Sequence, residues 1–267
     1  MTKIEQLAKK IRIKVLKMSY FQKTAHLGSS LSCTDIISVI YGKFLKISKK
    51  NISNPFRNRF ILSKGHAAST LYAAMYYNNL ISKKQIDSFC KPGSFFEEHP
   101  SPKIKGIEAV TGSLGHGLSV GCGIALAGKL QKKKYKVFVL MSDGECNEGT
   151  VWESALFASA KKLENLIVFI DNNGFQATGR TSEILSINPL DKKFLYFGWH
   201  TQKINGNNLL SITNAIKKAQ NSKKPSLIVA NTIKGKGVSF MEDDNNWHYK
   251  SPNLKELNLA IKEILKK

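Results

Sequence analysis

Two short, wholly apolar runs constrain this chain more than any other feature: Val137 to Met141 and Leu166 to Ile170, five residues each. Runs of that length, bounded by polar turns, read as strands buried on both faces, whereas a membrane-crossing helix needs roughly 20 apolar residues in succession. Between them Thr150 to Lys161 predicts a helix. The centre is therefore a βαβ unit, and the fold class it predicts is α/β, with three layers, α/β/α, around a mostly parallel central sheet. In sheets of this kind ligands bind beyond the carboxyl ends of the strands. At those ends the sequence changes character, to SDGECNEG after the first run and DNNGFQATG after the second.

The flanking segments fit the same architecture. Ile4, Leu7, Ile11, Val15 and Met18 recur at three- and four-residue steps, which predicts an amphipathic first helix. Further helices are expected from about His66 to Asn79, from Leu114 to Leu130, near Leu209 to Gln220, and from Pro252 to Lys267; Trp199 to Ile204 precedes a strand from Ser226 to Asn231. Gly115, Gly117, Gly121, Gly123 and Gly128 are dense for a helix, where each glycine costs about 1 kcal/mol against alanine, so another backbone or a ligand is expected to approach closely there. There is no internal repeat and no low-complexity linker, and the whole of 1–267 reads as a single domain.

The net charge of +22 invites a nucleic-acid reading. Only four of the 41 basic residues are arginines, however, and the lysines fall in scattered doublets without interleaved aromatics, so no nucleic-acid partner is expected. The N-terminal segment carries charges every few residues and has no apolar core like that of a signal peptide; no membrane association is expected. Cys33, Cys90, Cys122 and Cys146 show neither a CxxC pair nor zinc-finger spacing and read as free thiols of a reducing, cytoplasmic compartment.

The two strand-end turns carry the chemistry. Asp143 follows the first strand, and Asn172 and Asn173 follow the second, thirty positions after Asp143. Neighbouring parallel strands bring such turns together, and a carboxylate, an amide carbonyl and a main-chain carbonyl form a hard oxygen site suited to Mg²⁺ or Ca²⁺, with phosphate oxygens completing the shell. Gly144 would let a main chain approach those phosphates. Either turn alone is an ordinary strand-end dipeptide; the pairing of the two is what favours a site.

These residues resemble a family. SDGECNEGTVWE, followed by NLIVFIDNNGFQATG, is similar to the thiamine diphosphate motif of transketolases. The likeness continues through TAHLGSSL, LSKGHA, EEHP, VTGSLGHG, ILSINPL, FGW and NTIKGKGVSFME, from about residue 5 to about 255. The resemblance implies the thiamine diphosphate-binding fold and transfer of a two-carbon ketol unit from a ketose phosphate to an aldose phosphate, as in the pentose phosphate pathway. It also implies that Asp143, the Asn173 side chain and the Phe175 main-chain oxygen hold Mg²⁺, with Ca²⁺ able to substitute, and that Gly144 meets the diphosphate. His66 and His248 align with histidines that contact the diphosphate and the reacting centre, and His26 and His99 with histidines lining the donor-sugar channel. Leu114 would support the cofactor rings, and Gly112 would offer its main chain to the aminopyrimidine. Glu148 and Glu153 match an acidic pair at the family's subunit interface, although near a helix start they could simply favour its dipole. A lone histidine is more often structural, and His116 and His200 are read that way.

Two departures stand out. Ser142 replaces the usual first glycine of the motif, and asparagines at 205, 207 and 208 stand where the family often has Asp and His. The resemblance covers only the diphosphate-binding part of the family. The pyrimidine-binding and C-terminal domains, with the glutamate that activates the cofactor and the arginines that clamp sugar phosphates, are expected on a separate partner subunit, in a heterotetramer of two such pairs. Another thiamine diphosphate enzyme, such as a deoxyxylulose phosphate synthase or a decarboxylase subunit, would share the metal motif but not the histidine set.

Overall fold

A computed structural model describes residues 1–266. The helices, in chain order, are α1 (Lys3–Gln22), α2 (Leu27–Ser32), α3 (Thr34–Val39), α4 (Ala68–Tyr77), α5 (Lys83–Ile86), α6 (His116–Leu130), α7 (Gly149–Ala160), α8 (Thr181–Ile184), α9 (Leu190–Tyr196), α10 (Leu209–Gln220) and α11 (Leu254–Lys266). The strands are β1 (Arg59–Leu62), β2 (Val137–Ser142), β3 (Leu166–Asn172), β4 (His200–Asn205) and β5 (Ser226–Asn231). They form one sheet, ordered β1-β2-β3-β5-β4, in which every pairing is parallel.

The alternation of side chains along β2 and β3 divides the core in two. Phe138, Leu140, Ile167 and Phe169 point to one face, where residues of α1, α3, α4, α10 and α11 cover them. Val137, Val139, Met141, Leu166, Val168 and Ile170 point to the other, beneath α6, α7 and α9. Because both faces are buried, neither strand shows a polar alternation, and this is why each reads as a continuous apolar run. The predicted three-layer α/β/α architecture is the observed one.

Differences from expectation lie at the edges. The sequence pattern does not predict β1: its four residues, Arg59-Phe60-Ile61-Leu62, are too short and too near charged neighbours to stand out, yet they pair with Val137 to Leu140. The segment expected to be helical from His66 opens with a single 3-10 turn, Gly65–Ala67, before α4 begins. The first helix is closed at its start by a capping box between Thr2 and Glu5 and ends at Lys23, in the left-handed conformation. The predicted end of the last helix at Lys267 lies outside the described residues. Among the described residues, no helix is long and apolar enough to cross a membrane.

The glycines of α6 have a packing cause. A Cβ at Gly117 would come within 2.7 Å of the Ser63 main chain, one at Gly121 within 2.6 Å of Val139, and one at Gly128 within 2.7 Å of the Tyr135 ring. The helix thus lies directly against the sheet just past β1. Gly123 faces open space. Opposite signs are therefore expected from one helix: Gly117→Ala should destabilise by about 2–3 kcal/mol through overpacking. Gly123→Ala should stabilise by about 0.5–1 kcal/mol. Urea unfolding of both variants measures the contrast.

Candidate functional site

The register of β2 on β3 pairs Ser142 with Asp171, so the chain leaves both strands at the same level. Asp143 bridges the two exits. Its Oδ1 accepts from the Gly144 amide at 3.0 Å, while its Oδ2 accepts from the Gly174 amide at 2.8 Å and the Thr181 hydroxyl at 3.2 Å. Asn173 lies beside it, with its Nδ2 donating to Asp171 at 3.3 Å and its Oδ1 accepting from the Phe175 amide at 3.1 Å. The two asparagines separate here, because Asn172 is turned away and bonds Asn231 at 2.8 Å.

A cavity of about 380 Å³ opens at this edge. Its walls include Gly112, Leu114, Gly144, Glu148, Asn173 and Phe175, together with His26, His66, His99 and His248. Larger openings, of about 500 Å³ over Arg12 and about 910 Å³ beside Tyr249, gather no such cluster. Of the predicted site residues, two are not on the cavity wall. Asp143, only 1% exposed, is sealed beneath the two turns, and Glu153 is exposed on α7. Glu148 is also exposed; it stands at the start of α7 without a capping hydrogen bond. His116 is exposed at the start of α6, and His200 begins β4; neither lines the cavity.

The four histidines come from four separate segments. His26 sits in the left-handed conformation before α2, and its amide donates to the His248 carbonyl at 2.6 Å. Its ring centroid lies 5.4 Å from His66, 5.1 Å from His248 and 6.3 Å from His99. Burial, followed by Lys64 and the neighbouring imidazoles, holds His66 well below its ordinary value. Burial, then Lys234, brings His248 down to about 3, and burial also lowers His26. These three rings are neutral at physiological pH. Lys234 approaches His248 Nδ1 at 3.1 Å and donates to Asn245 at 2.5 Å. An ammonium only donates, so His248 accepts at Nδ1 and carries its proton on Nε2, facing away from the lysine.

Several buried polar residues of the site have no role that the sequence alone assigns. Asp171 receives Lys64 at 2.5 Å, Ser32 at 2.6 Å, the Asn173 amide and the Thr232 hydroxyl. Glu145 accepts from the Ser63 hydroxyl, the Gly115 amide at 2.8 Å and the Ser142 amide at 3.1 Å, and burial raises its pKa. Lys64 and Lys234 stand inside two of the transketolase-like motifs, LSKGHA and NTIKGKG, so a lysine without an evident surface role is the one signal the sequence holds for them. The serine at 142 is accommodated without disruption, since its hydroxyl accepts from the Glu145 amide at 3.3 Å. The other departure is structural: Asn207 bonds Asp35 at 3.1 Å, and Asn208 caps α10 through the Ser211 amide.

The set Asp143, Asn173 and Phe175 fits a divalent cation by its chemistry. Burial, then the nearby Asp171 charge, raises the Asp143 pKa to about 6, the condition of a carboxylate that a cation would relieve. Among the described residues no three His, Cys, Asp or Glu side chains form a complete metal site, so an ion at Asp143 would need oxygens from its ligand, as Mg²⁺ commonly takes from phosphates. The same shift affects stability. Between pH 3.8, the ordinary value, and about 6, the folded chain holds a proton that the unfolded chain has lost, so folding weakens as pH rises through that window. Above it the cost is complete. In metal-free buffer, Asp143→Asn is expected to flatten this pH dependence between about pH 4 and 7.5, as measured by urea denaturation with a chelator.

Comparison with known proteins gives a consistent result. Residues 4–263 match the family described as "Transketolase, thiamine diphosphate binding domain". Over 262 residues the chain is 36% identical to an apulose-4-phosphate transketolase subunit of Phocaeicola vulgatus, covering 98% of this chain and 93% of that one. It is 40% identical over 219 residues to a 6-deoxy-6-sulfo-D-fructose transketolase subunit of Clostridium sp., covering 81% and 80%. Among solved structures, the transketolase of Campylobacter jejuni superposes with a TM-score of 0.93 at 28% identity; the match covers 98% of this chain and 42% of that longer one. With this fold, and with these relatives matched along most of their length, the chain belongs to the transketolase family and carries its thiamine diphosphate-binding domain.

Proposed function

We infer that the chain is the diphosphate-binding subunit of a two-chain transketolase, a single domain that transfers a two-carbon ketol unit from a ketose phosphate to an aldose phosphate. The observation that carries this reading is the meeting of Asp143 and Asn173 at the ends of two adjacent parallel strands, beside a cavity ringed by four histidines. In this reading Asp143, the Asn173 carbonyl and the Phe175 main-chain oxygen hold Mg²⁺, with Ca²⁺ able to take its place, and Gly144 lets the diphosphate approach. Leu114 and Gly112 face the rings. Bound thiamine diphosphate supplies an electron sink while the sugar carbon–carbon bond breaks. His26 and His99 orient the donor sugar through its hydroxyls. Neutral His66 and His248 donate or accept there without bringing charge, and His248 offers its Nε2 proton.

The missing activating group is assigned to a partner chain carrying the pyrimidine-binding domain, in a cytoplasmic heterotetramer where Glu148 and Glu153 face the partner. The relatives named as transketolase subunits support a partner, and their names widen the substrate class beyond pentose phosphates to apulose-4-phosphate and 6-deoxy-6-sulfo-fructose. A ketol-transfer assay on the purified native assembly, across ketose donors that include these two, is expected to show transfer to an aldose phosphate; pyruvate consumption instead would refute the reading. By calorimetry, Asp143→Ala and Asn173→Ala should each weaken Mg²⁺-dependent thiamine diphosphate binding, the first by about a hundredfold, as for the loss of a charged contact.

A further inference from the structure

Gln176 follows Phe175 in the turn after β3, and its main chain is fixed from both sides. Its amide donates to the Gly179 carbonyl at 2.8 Å, and Phe175 and Arg180 form an antiparallel bridge across the same turn. The Arg180 guanidinium lies 4.3 Å and Lys234 Nζ 5.2 Å from the centre of the Phe175 ring. The Gln176 side chain then lies against Gly144: a Cβ on that glycine would stand 2.8 Å from Gln176 Cγ. So the missing side chain at 144 makes room for this glutamine as well as for any ligand.

At the end of that stem, Gln176 Nε2 is buried without a hydrogen-bond acceptor among the described residues, and it belongs to the wall of the histidine-lined cavity. The other unpaired amide of this wall, Asn147, leaves its Oδ1 equally unpartnered, so the two do not satisfy each other. Buried amide donors are rarely left open, because the lost hydration is not replaced. The two lysines nearest the strand ends are already engaged, Lys64 by Asp171 and Lys234 by Asn245 and His248. A neutral donor placed over Gly144, under a fixed turn, suits an anionic oxygen lying at that glycine.

We propose that Gln176 is a further cofactor-binding residue, its Nε2 donating to an oxygen of the diphosphate held over Gly144. The assignment rests on the proposed cofactor site at Asp143 and Asn173. The experiment is calorimetric titration of the purified native assembly, with each variant expressed in place of the wild-type chain. The ligands are thiamine diphosphate and, separately, inorganic pyrophosphate, both with MgCl₂. Gln176→Ala is expected to weaken both ligands about tenfold, and Gln176→Glu to weaken them further by placing a carboxylate against phosphate, with the ligand-free melting temperature unchanged. Unchanged affinities in Gln176→Ala, alongside a clear loss in Asp143→Ala, would overturn the proposal and leave the site intact. A loss confined to thiamine diphosphate would also overturn it, by placing the amide on the rings. Absence of binding by the wild-type assembly would refute the cofactor site itself.

Discussion

The carboxylate of Asp171 is the tie on which the functional edge of the sheet depends. It is wholly buried, and so is Lys64, whose ammonium it holds. Burial pulls the Lys64 pKa down, but the Asp171 charge and hydrogen bond, together with Cys33 and Asp143, outweigh it and the net shift is upward, so the lysine keeps its charge. Ser32 brings in α2, Lys64 the end of β1, Asn173 the end of β3 itself, and Thr232 the segment after β5. A buried pair of this kind adds little stability over an apolar replacement, yet removing one partner costs about 3–5 kcal/mol. Its value here is positional: with Asp171 occupying the Asn173 amide nitrogen, the carbonyl end of that side chain is directed away from the pair.

The same economy of charge governs the cavity. A chain of net charge +22 keeps three of the four imidazoles facing its site uncharged, because burial and two lysines depress them. Lys234 is itself brought down to about 8, first by burial and then by Lys64, so the same burial and positive neighbours that depress the imidazoles also weigh on this lysine. Neutral rings with a defined proton at His248 Nε2 suit hydroxyl recognition better than imidazolium ions, which can only donate.

How much of this is legible in the sequence depends on whether a signal is local. β2, α7 and β3 can be read directly because burial on both sheet faces leaves uninterrupted apolar runs, and the glycines of α6 correctly announce a close approach. β1 escapes because three apolar residues carry no period. The choice between Asn172 and Asn173 is invisible to spacing; it follows from pleat direction, which sends one side chain to Asn231 and the other into the site. The histidines are legible only through whole motifs, since 222 positions separate His26 from His248 and no pattern along the chain links them. Lys64, Glu145 and Asp171 stay hidden for a related reason: a buried charge is recognisable only once its partner is seen.

Glu145 carries the remaining constraint. Its carboxylate joins Ser63 beyond β1, the Gly115 amide before α6 and the Ser142 amide at the end of β2. Gly115 has a positive φ of 83°, and a Cβ there would strike Thr150, so only glycine fits that turn. The turn bearing Gly112 and Leu114 is thereby fixed relative to the turn bearing Asp143 and Gly144. A ligand with an anionic end and a flat ring end meets two walls that cannot separate without breaking buried hydrogen bonds. Beyond those walls the rim is open: Gly112 and Ser113 are exposed, and Val110 is 65% exposed. Electrostatic assistance from neutral imidazoles is strong only where water is excluded. The proposed partner chain would therefore serve the chemistry twice, by bringing the activating carboxylate and by sealing the rim at Val110 through Ser113.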